Sequence, residues 1–374
     1  MKLRPSFAAF PMFFGAEHRA LGDWLTGVDH ADLHVPARVV PRLAELGLTK
    51  LLVPSVDVRS LCIVREALGY VSPLADSIFA VQGLGSHPLL LAGETERRAE
   101  HLAGVVDGTR VCAFGLTEPE AGTDVASLRT TARREGDEWV LDGEKCFISN
   151  VGIASHYTIF ANADPAAGKK GISAFLVDAT TPGLTTEPIP MSVDHPLGRV
   201  RLSAARVPGS ALIGEVGMGL RLALGTLDVF RTSVGAVAMG MSIRALDEAV
   251  AHVGRRVQFG KRLAEFQLTQ AAIADMATEI DAGRLLVCRA AWEKDAQRTN
   301  TGSTDATPSL SVAMAKMFAT EAAQRIIDRA VQLLGGLGVT SSIVERLYRE
   351  IRPLRIYEGT TQVQQLIIGS ALTK

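Results

Sequence analysis

Phe114-Gly-Leu-Thr-Glu-Pro-Glu-Ala-Gly-Thr-Asp124 stands where the chain changes its hydrophobic period. It follows a strand-like run and crowds threonine, proline, glycine and acid into one loop. Such a loop offers backbone N–H groups and hydroxyls to a polar planar or anionic ligand. The same residues also build a structured turn through Asx and proline chemistry, so the stretch alone leaves both readings open.

Before the loop, residues 1 to about 110 read as helical. Val39, Leu43, Leu46 and then Leu48 keep helical spacing, with Gly47 as a C-cap. A second helix runs near Ser60 to Tyr70. Ser77 to Ala92 is apolar, interrupted by Gly83 and Gly85, and its Pro88 suits a helix start or kink. Thr95 is placed to cap the charged amphipathic helix that follows.

After the loop, the pattern from Val111 to about Val207 is short runs bounded by Gly, Asp and Pro. Trp139-Val-Leu141 followed by Asp142-Gly143 is a hairpin signal. Tyr157–Phe160, Ile172–Val177 and Val200–Leu202 are strand-like. The run suggests an antiparallel barrel or sandwich. From about Leu212 helices return. Leu268, Ala272, Met276, Ile280, Gly283, Val287 and Ala291 form the buried stripe expected of one long helix. Arg298 to Pro308 reads as a loop and Ser309 to Leu334 as a further helix, which implies an antiparallel bundle. The expected class is α+β, mostly α, divided into 1–110, 111–210 and 211–374.

With 374 residues, 47% hydrophobic and 21% charged, the chain is globular and large enough for two or three layers or domains. A net charge of -1 without single-sign runs argues against nucleic-acid or membrane-surface binding. Cys62, Cys112, Cys146 and Cys288 have no CxxC spacing and read as reduced thiols of a cytoplasmic protein. His30 and His34 lack a third ligand cluster and read as a solvated helix face, so no metal is expected. The N-terminus has no continuous signal-like core. The run from Ser233 to Ile243 is cut off by Arg244, so no membrane span is expected.

Four further stretches carry candidate chemistry. In Arg355-Ile-Tyr-Glu-Gly-Thr-Thr-Gln362, Glu358 lies between apolar residues and a glycine. Burial would raise its pKa and suit a base that takes a proton from carbon. Alternatively Thr360 or Thr361 caps a helix and Glu358 lies outside it on the surface. Phe147 and Ser149 share a strand face and could flank a ring system or form a cross-strand aromatic contact. Arg255 to Arg262 is a basic helix end suited to phosphate. Gln332-Leu-Leu-Gly-Gly-Leu-Gly338 follows a helix rather than a strand, which excludes a Rossmann fingerprint.

Together these pieces resemble the acyl-CoA dehydrogenase family over nearly the whole chain. The Leu-Thr-Glu-Pro-x-Ala-Gly-Thr-Asp, Arg-x-x-Phe-Gly, Gln-x-x-Gly-Gly-x-Gly and Tyr-Glu-Gly-Thr motifs occur in family order. The resemblance implies an N-terminal helical domain, a central antiparallel β-barrel domain and a C-terminal four-helix bundle, with FAD between the last two. Phe114, Leu116, Thr117, Gly122 and Thr123 would line the flavin, and Phe147 and Ser149 would contact its ring where the family usually has Trp and Thr. Arg256 would reach the pyrophosphate of a neighbouring subunit's FAD, and Phe259 and Gln267 would also bind the cofactor. Gln332, Gly335 and Gly336 would meet its adenosine half, with Thr360 and Gln362 as further contacts. Thr123, Asp228, Arg231, Tyr357 and Gly359 would face an acyl-CoA substrate. Glu358 would take the α-proton of the thioester while hydride leaves the β-carbon for flavin N5, giving a trans-2-enoyl-CoA. An electron-transferring flavoprotein would accept the electrons, and the assembly would be a homotetramer, a dimer of dimers. A same-fold oxidase or monooxygenase, a carrier-protein thioester as substrate, and a non-catalytic thioester-binding scaffold stay open on these residues.

Overall fold

A computed structural model describes residues 6–93, 95–301, 310–340 and 342–373. The change of period at Val111 is a change of architecture. Ahead of it come α1 (Ser6–Ala9), α2 (Ala16–Leu25), α3 (Pro36–Glu45), α4 (Val58–Val71), α5 (Pro73–Leu91) and α6 (Glu96–Asp107). Local signals set their ends. The side chains of Asp57, Ser72 and Thr95 accept from the N–H groups of Ser60, Ala75 and Arg98. Gly47 takes the left-handed conformation after α3. Pro88 lies inside α5 rather than starting a helix. α5 is buried along nearly its whole length. A Cβ at its Gly85 would stand 2.7 Å from the Cβ of Cys112, so glycine lets this helix lie against the first strand. His30 and His34 precede α3 outside any helix, His34 in a turn, and the described residues contain no metal-ligand cluster.

The strands are β1 (Cys112–Gly115), β2 (Thr131–Glu135), β3 (Glu138–Ser149), β4 (His156–Asn162), β5 (Ile172–Asp178), β6 (Leu184–Pro188), β7 (Leu197–Pro208) and β8 (Leu212–Ile213). They form one sheet in the order β6-β7-β3-β2-β4-β5-β8, with β1 beside β4. The expected antiparallel barrel is not what forms. β1 and β2 both run parallel to β4, so the sheet is mixed, and the outer strands β6 and β8 do not pair to close it among the described residues. The hairpin signal at Asp142-Gly143 also fails. The turn falls earlier, at Gly136-Asp137, and β3 runs through Asp142-Gly143 as a bulge against β7. Asp142 Oδ1 accepts from Ala204 N at 2.7 Å, which occupies the aspartate as a bulge anchor instead of a turn former.

The chain then forms α7 (Gly219–Arg255), the small hairpin β9 (Val257–Gln258) and β10 (Lys261–Arg262), α8 (Gln267–Thr301), α9 (Leu310–Leu334), α10 (Ile343–Glu350) and α11 (Thr361–Leu372). α7 packs on α4, α5, α8 and α9. It is long and apolar enough to cross a membrane, yet 83% of its most apolar window is buried inside the fold, as in a core helix. The stripe on α8 is buried from Met276 onward. Leu268 is 88% exposed, and no residue of α8 before Met276 is buried. α8 continues through Thr301 where a loop was expected from Arg298; the rest of that loop, and Ser309, lie outside the described residues.

Candidate active site

The loop after β1 is fixed from beneath by ions. Glu118 is buried and accepts from Arg129 N at 2.6 Å, Thr130 N at 3.0 Å and Lys145 Nζ at 2.6 Å. Burial works against its charge, but Lys145 and these donors hold its carboxyl below the usual range. Burial lowers Lys145 to about 8. The Thr117 carbonyl accepts from Cys146 N at 3.0 Å, tying the loop to β3 where its register with β7 shifts. There Phe147 is held at φ 55 with its ring 64% exposed. This excludes the buried cross-strand aromatic contact. An apolar ring kept outward on a strained backbone fits contact with a planar ligand. Ser149 lies half-buried two residues on, Leu116 is buried, Phe114 and Thr117 are half-buried, and Gly122 and Thr123 are exposed on the loop rim.

The second half of the site is the turn before α11. Thr360 caps that helix, accepting from Val363 N at 3.2 Å. Glu358 does lie outside the helix, but it is half-buried rather than a free surface group. Its Oε2 is buried without a hydrogen-bond partner among the described residues, and its backbone takes φ 53, a left-handed value. Gly359 follows at φ 89, where an added Cβ would lie 2.7 Å from Gln364 Nε2. The turn is clamped. Arg231 Nε donates to the Glu358 carbonyl at 3.0 Å, and Lys316 Nζ and Gln364 Nε2 donate to the Gly359 carbonyl at 2.8 and 3.0 Å. Its flanks share one anchor, since Arg355 Nε and Thr361 Oγ1 both donate to Glu321 Oε1, at 2.8 and 2.6 Å.

Burial raises the Glu358 carboxyl above its usual range, and the cations Arg65, Arg231 and Lys316 oppose the rise. Arg65 is fully buried. Its guanidinium grips Asp76 through two 2.8 Å bonds and donates to Ser233 at 2.8 Å. Burial also raises the Tyr357 hydroxyl. Asp228 is buried against Lys294, with Oδ1 left without a partner among the described residues.

The structure thus gathers Arg231, Tyr357, Glu358 and Gly359, and separately Leu116, Thr117, Phe147 and Ser149. It does not join the remaining positions to them by hydrogen bonds among the described residues. Arg256 and Phe259 lie exposed on the β9–β10 hairpin side of α7, and Gln267 is exposed at the start of α8. Gln332, Gly335 and Gly336 lie exposed at the end of α9, and neither glycine would meet an atom within 4 Å of an added Cβ. Gln362 is exposed on α11. Sequence reading missed Lys316, Lys145 and the Arg65–Asp76 pair, because a lysine or arginine in a helical or strand pattern reads as a solvated position. The signal available was Lys316 amid the apolar spacing of α9.

An outward aromatic beside a hydroxyl, a loop with its backbone pinned, and an unpartnered buried carboxylate oxygen together suit a flat conjugated cofactor with a small substrate against it. Comparison with known proteins points the same way. The sequence matches models of the acyl-CoA dehydrogenase middle domain over residues 113–205 and C-terminal domain over residues 217–373. It is 38% identical over 317 residues to the probable acyl-CoA dehydrogenase FadE25 of Mycobacterium tuberculosis, covering 84% of this chain and 80% of that one. It is 35% identical over 354 residues to the caffeyl-CoA reductase-Etf complex subunit CarC of Acetobacterium woodii, covering 91% and 90%. Its fold is similar to a glutaryl-CoA dehydrogenase of Mycobacterium smegmatis solved with FADH2, at TM-score 0.89 and 26% identity, over 99% and 98% of the two chains.

Proposed function

The chain belongs to the acyl-CoA dehydrogenase family, and from that premise we propose that it oxidises an acyl-CoA thioester to its trans-2-enoyl-CoA with Glu358 as the base. The observation that carries this reading is the half-buried Glu358: its carboxyl raised in pKa, its Oε2 buried and without a partner among the described residues, on a turn fixed at both flanks. A carboxylate with hydrogen bonds to spare and a raised pKa is poised to take a proton.

On the sheet side Phe114, Leu116, Thr117, Gly122 and Thr123 would hold FAD, with Phe147 and Ser149 against its ring. On the helical side Thr360 and Gln362 would hold it. Bound FAD supplies the hydride acceptor. Glu358 takes the α-proton, and its backbone N–H supports the thioester carbonyl as charge develops there. Tyr357 and Gly359 border the acyl group, Arg231 holds the base-bearing turn, and Thr123 and Asp228 face the CoA arm. Arg256, Phe259, Gln267, Gln332, Gly335 and Gly336 serve the FAD of a neighbouring copy. Exposed Phe259 at 94% and Leu268 at 88% support an oligomer, read here as a dimer of dimers. The likeness to an Etf-complex subunit supports an electron-transferring flavoprotein as electron acceptor. We read residues 1–110, 111–210 and 211–374 as the three domains, with α7, α8, α9 and α11 as the four-helix bundle of the last.

Glu358→Gln tests the base. It should keep yellow FAD and thioester binding while slowing anaerobic flavin bleaching by an acyl-CoA panel about 10⁴-fold. Bleaching at the wild-type rate removes Glu358 from the reaction.

A further inference from the structure

Lys316 has no solvent exposure, yet it carries an ammonium into the helical core. Its ammonium donates to the Gly359 carbonyl at 2.8 Å. Arg231, from α7, takes the preceding carbonyl, that of Glu358, at 3.0 Å. Two cations on two helices therefore seize consecutive carbonyls of consecutive left-handed residues, φ 53 and 89. A non-glycine residue at such a φ is strained and persists only where its surroundings over-determine it. Neutral donors would serve a structural turn. Charge-assisted bonds are roughly twice as strong, and a buried cation is hard to keep without a demand for it.

We propose that Lys316 is a positioning residue for the reaction: with Arg231 it locks the Glu358–Gly359 peptide so that the carboxylate meets the substrate α-carbon. The inference rests on Glu358 being the base. The charged groups around the ammonium are Arg231 on α7, Glu321 on α9 itself, and Arg355 and Glu358 from the turn; from α11 the Gln364 amide shares the Gly359 carbonyl. Burial lowers Lys316 to about 8, with Glu358 opposing. The ammonium is thus charged below pH 8 and lost above it. Losing it weakens the bond to Gly359 and removes a cation that helps Glu358 ionise, so the reaction slows on the alkaline side.

The test is the pH profile of anaerobic flavin reduction in wild type, Lys316→Met, Lys316→Gln and Lys316→Arg holoenzymes. Flavin content and thermal midpoint are recorded for each, and the Lys316 amine is titrated in substrate-free protein by carbon NMR. Lys316→Met should keep FAD and KM but lose kcat about a hundredfold, the scale of a small misplacement of a reacting group. The wild-type alkaline limb near pH 8 should vanish in Lys316→Arg, whose guanidinium stays charged. A Lys316→Met enzyme with wild-type kcat, a loss that tracks flavin content alone, or a limb that persists in Lys316→Arg overturns the proposal. If methionine prevents folding, the Gln and Arg variants carry the same comparison. If Glu358→Gln bleaches normally, the reading of the base fails; if only the lysine variants are silent, this inference alone fails.

Discussion

The loop after β1 holds a buried glutamate and the turn before α11 a half-buried one, and they treat it in opposite ways. Glu118 accepts from two backbone N–H groups and a buried lysine, and its pKa is lowered. Glu358 keeps an oxygen with no partner, and its pKa is raised although three cations act on it. Both sites contain a buried lysine held near pH 8, but the connections differ. Lys145 bonds the carboxylate itself. Lys316 bonds the next peptide and leaves the carboxylate free. A cation spent on the acid makes a structural pin; a cation spent on its backbone makes a held reagent.

The largest way to break this contrast is Glu118→Gln. It leaves Lys145 buried without its counter-ion, and loss of one partner of a buried pair costs about 3–5 kcal/mol. Chemical denaturation should show that loss at pH 7. The wild-type contribution of Glu118 is present above its ordinary carboxyl pKa and disappears as pH falls through its lowered folded value. A neutral result would make the pin decorative.

Glu358→Gln should move stability the other way. Because the folded-state pKa is raised, ionising Glu358 costs stability as pH rises from about 4.5 through that higher value. The variant should therefore be more stable than wild type by on the order of 1 kcal/mol at pH 8 and equal to it at pH 4, in calorimetry of flavin-free protein. Destabilisation at pH 8 would mean that Glu358 is a structural acid like Glu118.

The smallest stability effect belongs to Phe147→Ala. Its ring is mostly exposed, so removing it should change the flavin-free midpoint by no more than about 0.5 kcal/mol. Flavin affinity measured by ultrafiltration should nonetheless fall clearly. A large stability loss with unchanged flavin affinity would recast Phe147 as packing.

Much of this was legible in residue order. Thr95 and Gly47 act as the caps their types predict, and the strands around Tyr157 and Ile172 follow their β-branched and aromatic pattern. The failures share a cause. Asp142-Gly143 has hairpin chemistry, but β7 lies alongside and uses the aspartate as a bulge anchor. The barrel was expected from short alternating runs, yet alternation does not say which strands run parallel, and β1 and β2 both do so against β4. Leu268 keeps the helical stripe of α8 but lies exposed ahead of its buried part.

By itself the sequence determined the succession of helix, sheet and helix, the caps, and the identity of the acid in a glycine-bearing turn, because these depend on backbone preference and on spacing along one element. Tertiary structure alone decided that the Glu118 carboxylate is paired with a buried lysine and the Glu358 carboxylate is not, that Lys316 and Arg231 reach the turn's carbonyls, and that Phe147 faces outward. Those outcomes depend on groups from different elements, 27 residues apart for Glu118 and Lys145 and 127 for Arg231 and Glu358, competing for the same donors and acceptors. A carboxylate's protonation is set by that competition, which no local pattern records.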